Sequence, residues 1–162
     1  LGKHLPQILG YFQITDEHGR ILTYYRKGKE KGLVGMRSIG VGGHVDIEDA
    51  VRYNDDGSAF LLTNINELIC RGAKRELCEE IGLVVGLEPS KFTHVISSLA
   101  DPTSAVHVGL PATLEISGEG IERLVLAEDE FLDVAWLTME ELKADKAAGT
   151  KYETWSALLI DQ

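Results

Sequence analysis

The sequence predicts an α/β protein in which a mixed β-sheet lies between helices. Three observations carry that reading. Residues 7–26, "QILGYFQITDEHGRILTYYR", run strand, turn and returning strand, as a β-hairpin does. Residues 71–82, "RGAKRELCEEIG", continue an apolar stripe at helical spacing and end in glycine. The remaining segments do not alternate strand and helix regularly, so the sheet is not a simple parallel one. The 162 residues fit one domain, 1–162, long enough to bury a core without disulfide staples.

The elements follow in order. After the first hairpin, "KGKEKG" is a basic loop, and "RSIGVGGHVD" is a short strand running into a glycine-rich loop. A second hairpin is expected at about 46–63, where Asp56-Gly57 separates two strand-like runs, "AVRY" and "SAFLL". Its apolar residues need a surface to pack on, because an isolated hairpin is marginal in water. Asn64 or Asn66 suits the cap of a helix over roughly 66–81. "FTHVISSLA" and "AVHVGLPATLEI" read as two longer strands around "DPTS". "LDVAWLT" is a strand whose Thr138 starts the helix "MEELKADKA", with Glu141 completing a capping box. "YETWSALLI" closes the chain as a helix with Tyr152, Trp155, Leu158 and Leu159 on one side.

Composition narrows the partners. A net charge of −10 argues against a nucleic-acid polymer or an anionic membrane. It leaves small phosphorylated substrates open, because a bound cation inverts the local field. No apolar run approaches the ~20 residues of a membrane-spanning helix. Cys70 and Cys78 lie on the same helix, about 12 Å apart at ~1.5 Å rise per residue, too far for a mutual disulfide. They are expected to be packing thiols in a reducing, cytoplasmic compartment. The start, "LGKHLPQILGYF", has neither an initiator Met nor the long apolar core of a signal peptide, so a trimmed or mature start is the expectation.

The helix raises a chemical question. At about 100° per residue, Glu76, Glu79 and Glu80 share one face. Like charges so spaced destabilise a helix by a few tenths of a kcal/mol per pair. Most such clusters are solvated surface. Here, however, Cys70, Ala73, Leu77 and Ile81 form an apolar stripe opposite, and Gly82 stops the helix directly after the cluster. The carboxylates are thus held in fixed directions, and a divalent cation would offset their repulsion.

With Glu67 added, the order becomes Glu67, seven residues, Arg75-Glu76-Leu77, one residue, Glu79-Glu80, one residue, Gly82-Leu83. This resembles the Nudix box, Gly-x5-Glu-x7-Arg-Glu-U-x-Glu-Glu-x-Gly-U, where U is aliphatic. "GVGGHV" resembles the glycine pair upstream of that box, and "EFLDVAWLTMEEL" the strand and helix start downstream. The resemblance covers roughly residues 8–160. There are two departures. Leu61 stands where the opening glycine belongs, so 18 residues look inserted between Gly43 and Glu67, similar to a branch described as predicted phosphoesterases. Val41 stands where a proline often precedes the glycine pair.

The resemblance implies a Nudix-type α/β/α sandwich and hydrolysis of a diphosphate linkage in a nucleoside-diphosphate-linked or related substrate, with Mg²⁺ or Mn²⁺. It implies metal ligation by Glu76, Glu79, Glu80 and the carbonyl of Gly43, with Glu76 or Glu79 as the water-activating base. Glu130 matches a further glutamate that in some relatives swings to the metals, with Glu128 and Asp129 as rivals. Glu67 and Arg75 match a supporting pair that orients Glu76. Arg26, Arg37 and His44 are candidate phosphate contacts, whereas His107 reads better as a satisfied strand histidine. The inserted hairpin should emerge at the pocket rim. A homodimer is possible. The alternatives are a non-catalytic sensor of the same fold and an isopentenyl-diphosphate isomerase-like enzyme, although neither cysteine sits in a recognisable form of the latter's motif.

Overall fold

The computed structural model describes residues 6–27, 32–82, 92, 94–118 and 131–162. Strands β1 (Gln7–Asp16) and β2 (Ile21–Arg26) form the expected hairpin. Asp16 fastens its turn by accepting the backbone N–H groups of His18 and Arg20 at 3.0 and 2.8 Å. β1 is the centre of a six-stranded sheet. It pairs antiparallel with β4 (Val41–His44) and parallel with β7 (His107–Ile116). β2 carries β3 (Arg37–Ser38) and β8 (Phe131–Leu137), both antiparallel. The sheet is therefore mixed, as expected.

Alternation along β1 sends its side chains into two cores. Phe12 and Ile14 pack with Ala73, Leu77 and Ile81 of helix α2 (Ile65–Ile81) on one face. Leu9 and Tyr11 pack on the other, with Leu142 of α3 (Met139–Ala147) and Trp155, Leu159 and Ile160 of α4 (Thr154–Ile160). The result is the α/β/α sandwich.

The helix ends obey local rules. Asn64 caps α2, its side chain accepting from the N–H groups of Asn66 and Glu67, and Gly82 ends it in the left-handed region at φ 64°. Thr138 and Glu141 form the expected capping box. Two faces differ in phase from the expectation. The buried stripe of α2 is Ile69, Gly72, Ala73, Leu77 and Ile81, while Cys70 is half-buried and Cys78 exposed, neither in a disulfide. On α4 Ser156 and Ile160 are buried and Leu158 is exposed, because Ser156 is drawn inward to the backbone N–H of Ile39 at 3.0 Å.

Three segments depart further. Gly42 and Gly43 lie within β4, opposite Tyr11 and Gly10, rather than in a loop. Of "FTHVISSLA", the described residues make only one bridge, Ile96 to Gly109. Asp101 accepts the N–H of Ser104 at 2.8 Å and the hydroxyl of Thr154 at 2.5 Å, which turns the chain toward α4 and not along the sheet. The second hairpin forms from β5 (Val51–Tyr53) and β6 (Ala59–Leu61), but a single helical turn, α1 (Ile47–Ala50), precedes it. No described helix is long and apolar enough to cross a membrane.

Candidate active site

A cavity of about 200 Å³ brings residues from both faces of the sheet together. Glu76 and Glu80 of α2 line it, with Arg26 from β2 and His44 from β4. Tyr11, Glu153 before α4 and the first two residues of that helix, Thr154 and Trp155, line it as well. Four of the residues predicted from sequence thus converge on one space.

Arg75 organises the acidic side. Its guanidinium donates to both Asp49 carboxylate oxygens, at 3.3 and 3.1 Å, and to the carbonyl of His44 at 3.1 Å. It also reaches Glu76 at 3.1 Å, Glu79 at 3.5 Å and Asp46 at 3.1 Å. Burial alone would raise the Asp49 pKa. The Arg75 hydrogen bond, the Asp46 backbone N–H and the Arg75 and Arg71 charges outweigh it and hold the pKa below the ordinary carboxylate range. The hydrogen bonds from Arg75 to Asp49 raise its own pKa in turn.

The supporting pair is therefore not Glu67 with Arg75. Glu67 is bonded to Arg52 of the inserted hairpin at 2.8 Å, near solvent. Asp49 holds Arg75 instead, and it stands six residues after Gly43, the Gly-x5 spacing of the box. The spacing that singled out Glu67 is met, but the hairpin separates Asp49 from α2 and the chain returns it to Arg75 in space. Gly72 makes this fit possible: a Cβ there would lie 2.8 Å from the His44 carbonyl and 3.1 Å from an Asp49 oxygen.

Arg37 also departs from the expectation. Its side chain is 10% exposed, donates to Thr23 at 2.9 Å and Asp145 at 3.1 Å, and lies over the Tyr25 ring. These contacts tie β3 to β2 and α3, away from the cavity. Arg26 stays at the cavity, donating to Glu153 at 3.2 Å. Glu130, Glu128 and Asp129 lie outside the described residues, as does Leu83. The inserted hairpin does not line this cavity among the described residues.

The cation donors can be tested for fit. A Cβ on Gly43 would lie 3.0 Å from Glu76 Cγ, so the Gly43 backbone is pressed against the Glu76 side chain. That contact, with Glu76 and Glu80 facing one cavity, suits a hard cation that takes oxygen donors. Among the described residues no three acidic, His or Cys side chains are already gathered as a cage. Arg75 reaches Glu76 at 3.1 Å and Glu79 at 3.5 Å, but it is shared with Asp46 and Asp49 as well.

Sequence reasoning missed Glu153. Its carboxylate accepts from Tyr11 Oη at 2.6 Å, Ser38 Oγ at 2.5 Å and Ser156 Oγ at 3.1 Å, all on Oε1. Burial, then the Glu153 charge, push the Tyr11 phenol pKa well up. The partners are scattered over positions 11, 38 and 156, so no local pattern exposes them. Nor did spacing show that His107 meets the cavity, its ring 5.4 Å from that of His44 with an interplanar angle of 70°. His107 Nδ1 is satisfied by the Thr103 carbonyl at 2.6 Å.

The family model of the NUDIX domain matches residues 6–158. Among solved structures, a NUDIX hydrolase from Alicyclobacillus acidocaldarius aligns with TM-score 0.62 and 12% identity, covering 99% of this chain and 91% of its own. The NUDIX domain of Shewanella oneidensis NrtR, solved with ADP ribose, gives 0.59 and 14%, covering 96% and 84%. The E. coli dihydroneopterin triphosphate pyrophosphohydrolase gives 0.58 and 14%, covering 98% and 96%. Among curated proteins, none matches this chain. With the family model spanning nearly its whole length, and the same fold in each of these structures, the chain belongs to the NUDIX domain family.

Proposed function

We propose that this chain hydrolyses a diphosphate linkage in a small nucleoside-diphosphate-linked or related substrate, with Mg²⁺ or Mn²⁺. The observation that carries the reading is the convergence of Glu76, Glu80, Arg26 and His44 on one cavity. Glu76, Glu79, Glu80 and the Gly43 carbonyl would hold the cation, whose chemistry is to polarise a phosphoryl oxygen and to offset charge on the departing phosphate. Arg26 and His44, which line the same cavity, bind and orient the phosphates. Arg26 presents a planar fork suited to phosphate oxygens. Glu76, half-buried and held at one oxygen by Arg75, takes the proton of the attacking water on its other oxygen. Glu79 is the alternative base, and Glu130 a candidate third.

The test is a panel of nucleoside triphosphates, sugar nucleotides, dinucleotides and non-nucleotide diphosphates, scored for phosphate release with Mg²⁺. On any substrate that turns over, Glu76→Gln should lower kcat by about two to four orders of magnitude, the usual contribution of a positioned base. Wild-type turnover in that variant would remove Glu76 from the chemistry. Binding without turnover across the panel would favour a sensor.

A further inference from the structure

We propose that Glu153 is a positioning residue for the phosphate-binding arginine: its carboxylate, locked on one oxygen, grips Arg26 with the other and sets the direction in which that guanidinium meets the diphosphate. The inference rests on the diphosphate reading above, and it gives the residue before α4 a part in binding that the acidic helix does not supply.

The first argument is how Glu153 itself is held. Its side chain is 7% exposed, and it stands at the N-cap position of α4. A polar side chain there ordinarily turns back to accept from the first N–H groups of its helix. Glu153 makes no such bond. Its Oε1 instead accepts the hydroxyls of Tyr11 on β1, Ser38 on β3 and Ser156 on α4, at 2.6, 2.5 and 3.1 Å. Burial and the Glu153 charge keep Tyr11 a phenol, and therefore a donor. The Glu153 backbone N–H donates to the Arg37 carbonyl at 3.1 Å, so main chain and side chain are both tied to β3. Three donors from three elements thus fix one carboxylate oxygen in place.

The second argument is what the other oxygen does. Oε2 accepts the Arg26 Nε–H at 3.2 Å, and both residues line the cavity that Glu76, Glu80 and His44 also line. A carboxylate needed only to tie β1, β3 and α4 together would be complete with Oε1. Here Oε2 is given to a side chain of β2 at the cavity. The guanidinium is planar with five N–H donors, so one bond at Nε sets the plane in which the other four point. The Arg26 side chain is 29% exposed and arginine is rich in rotamers. Ordering it before the substrate arrives removes that cost from binding. The Glu153 charge opposes an approaching phosphate. Three hydroxyls and Arg26 already compensate that charge, so positioning outweighs repulsion.

A double-mutant cycle tests this, read by titration calorimetry of the full chain with Mg²⁺ and inorganic pyrophosphate as the probe. Arg26→Ala should weaken binding roughly tenfold or more, as expected for a lost hydrogen bond between charged groups. Glu153→Gln should weaken it roughly three- to tenfold, the cost of ordering a side chain that is no longer held. In the Arg26→Ala background, Glu153→Gln should cause no further loss, because no guanidinium is left to position. A Glu153 that served the fold alone would weaken binding equally in both backgrounds. One that competed with phosphate for Arg26 would tighten binding when replaced. Either result overturns the inference, as does unaltered binding in either single variant or no pyrophosphate binding by wild type. If Glu153→Gln fails to fold, Glu153→Asp withdraws the carboxylate by one methylene and runs the same cycle with the same expected outcome. The diphosphate reading is scored separately, by wild-type phosphate release from any member of the substrate panel, so the two can fail independently.

Discussion

Asp49 meets Arg75 through two hydrogen bonds, at 3.3 and 3.1 Å, and Arg75 carries that contact on to Glu76 at 3.1 Å. Asp49 is thus a positioning residue for the glutamate proposed as base. Glu67, by contrast, holds the half-exposed Arg52. The two carboxylates therefore give a contrasting prediction. Asp49→Asn should cost about 1–3 kcal/mol, the range for leaving a partly buried charged hydrogen bond unmade. Glu67→Gln should cost under about 1 kcal/mol, as exposed pairs do. Denaturant melts would compare them, and equal costs would refute the assignment. The sign of the pH effect follows from the lowered Asp49 pKa. Its stabilisation is fully present above the unfolded pKa, about 3.9, and is lost as pH falls through the still lower folded value. Wild type should therefore lose stability below about pH 4 more steeply than Asp49→Asn does. Sequence spacing pointed to Glu67 because seven residues do separate it from Arg75. Spacing along one helix says nothing about a carboxylate that returns through space from the far side of a hairpin.

At the scale of elements, whatever is governed by neighbours within a few residues was legible. The Asn64 cap, the stop at Gly82 and the Thr138–Glu141 box all form, each a contact closed within one turn. Thr138→Ala should lower stability by about 1 kcal/mol. The phase of an apolar stripe was less legible, since α2 turns Ile69 and Gly72 inward to approach residues 44–49 closely. Overpacking costs about 1–3 kcal/mol, so Gly72→Ala should destabilise the protein by that amount and disturb Asp49 as well. The strand expected at 92–100 was illegible because its alternation is real but Asp101 bends the chain away. The inserted hairpin was legible as a hairpin; it was expected at the pocket rim, and among the described residues none of it lines the cavity. Tyr53 is 72% exposed and Leu61 62%, and neither lines the cavity. Replacing residues 53–60 with a short Gly-Ser linker keeps Asp49, Arg52 and Glu67 in place. It should leave the ratio of kcat/KM between any two substrates within about twofold, well under the tenfold that 1.4 kcal/mol of lost selective contact would give. A larger change would return the hairpin to the site.

For the whole molecule, the decisive quantity is charge that the fold gathers and does not fully neutralise. The chain carries a net charge of −10, and Arg75 is shared among Asp46, Asp49, Glu76 and Glu79. One guanidinium cannot neutralise four carboxylates, so a divalent cation at Glu76, Glu79 and Glu80 should bind the folded chain in preference to the unfolded one. Preferential binding stabilises by RT ln(1 + [L]/Kd), about 2.7 kcal/mol at a hundredfold excess over Kd. For a chain of this size each kcal/mol moves Tm by about 2–4 °C, so saturating Mn²⁺ should raise Tm by roughly 5–10 °C. Glu79→Gln and Glu80→Gln should each remove most of that rise. Their metal-free melting temperatures should stay close to that of wild type, because the few tenths of a kcal/mol of like-charge repulsion that each relieves is of the same size as an exposed ion pair such as that of Glu79 with Arg75 at 3.5 Å. Potassium chloride at matched ionic strength separates screening from site binding, since screening acts on every exposed carboxylate and should move all three proteins alike. A Mn²⁺ shift that survives in both variants would place the cation elsewhere on this acidic surface and remove these carboxylates from the ligand set.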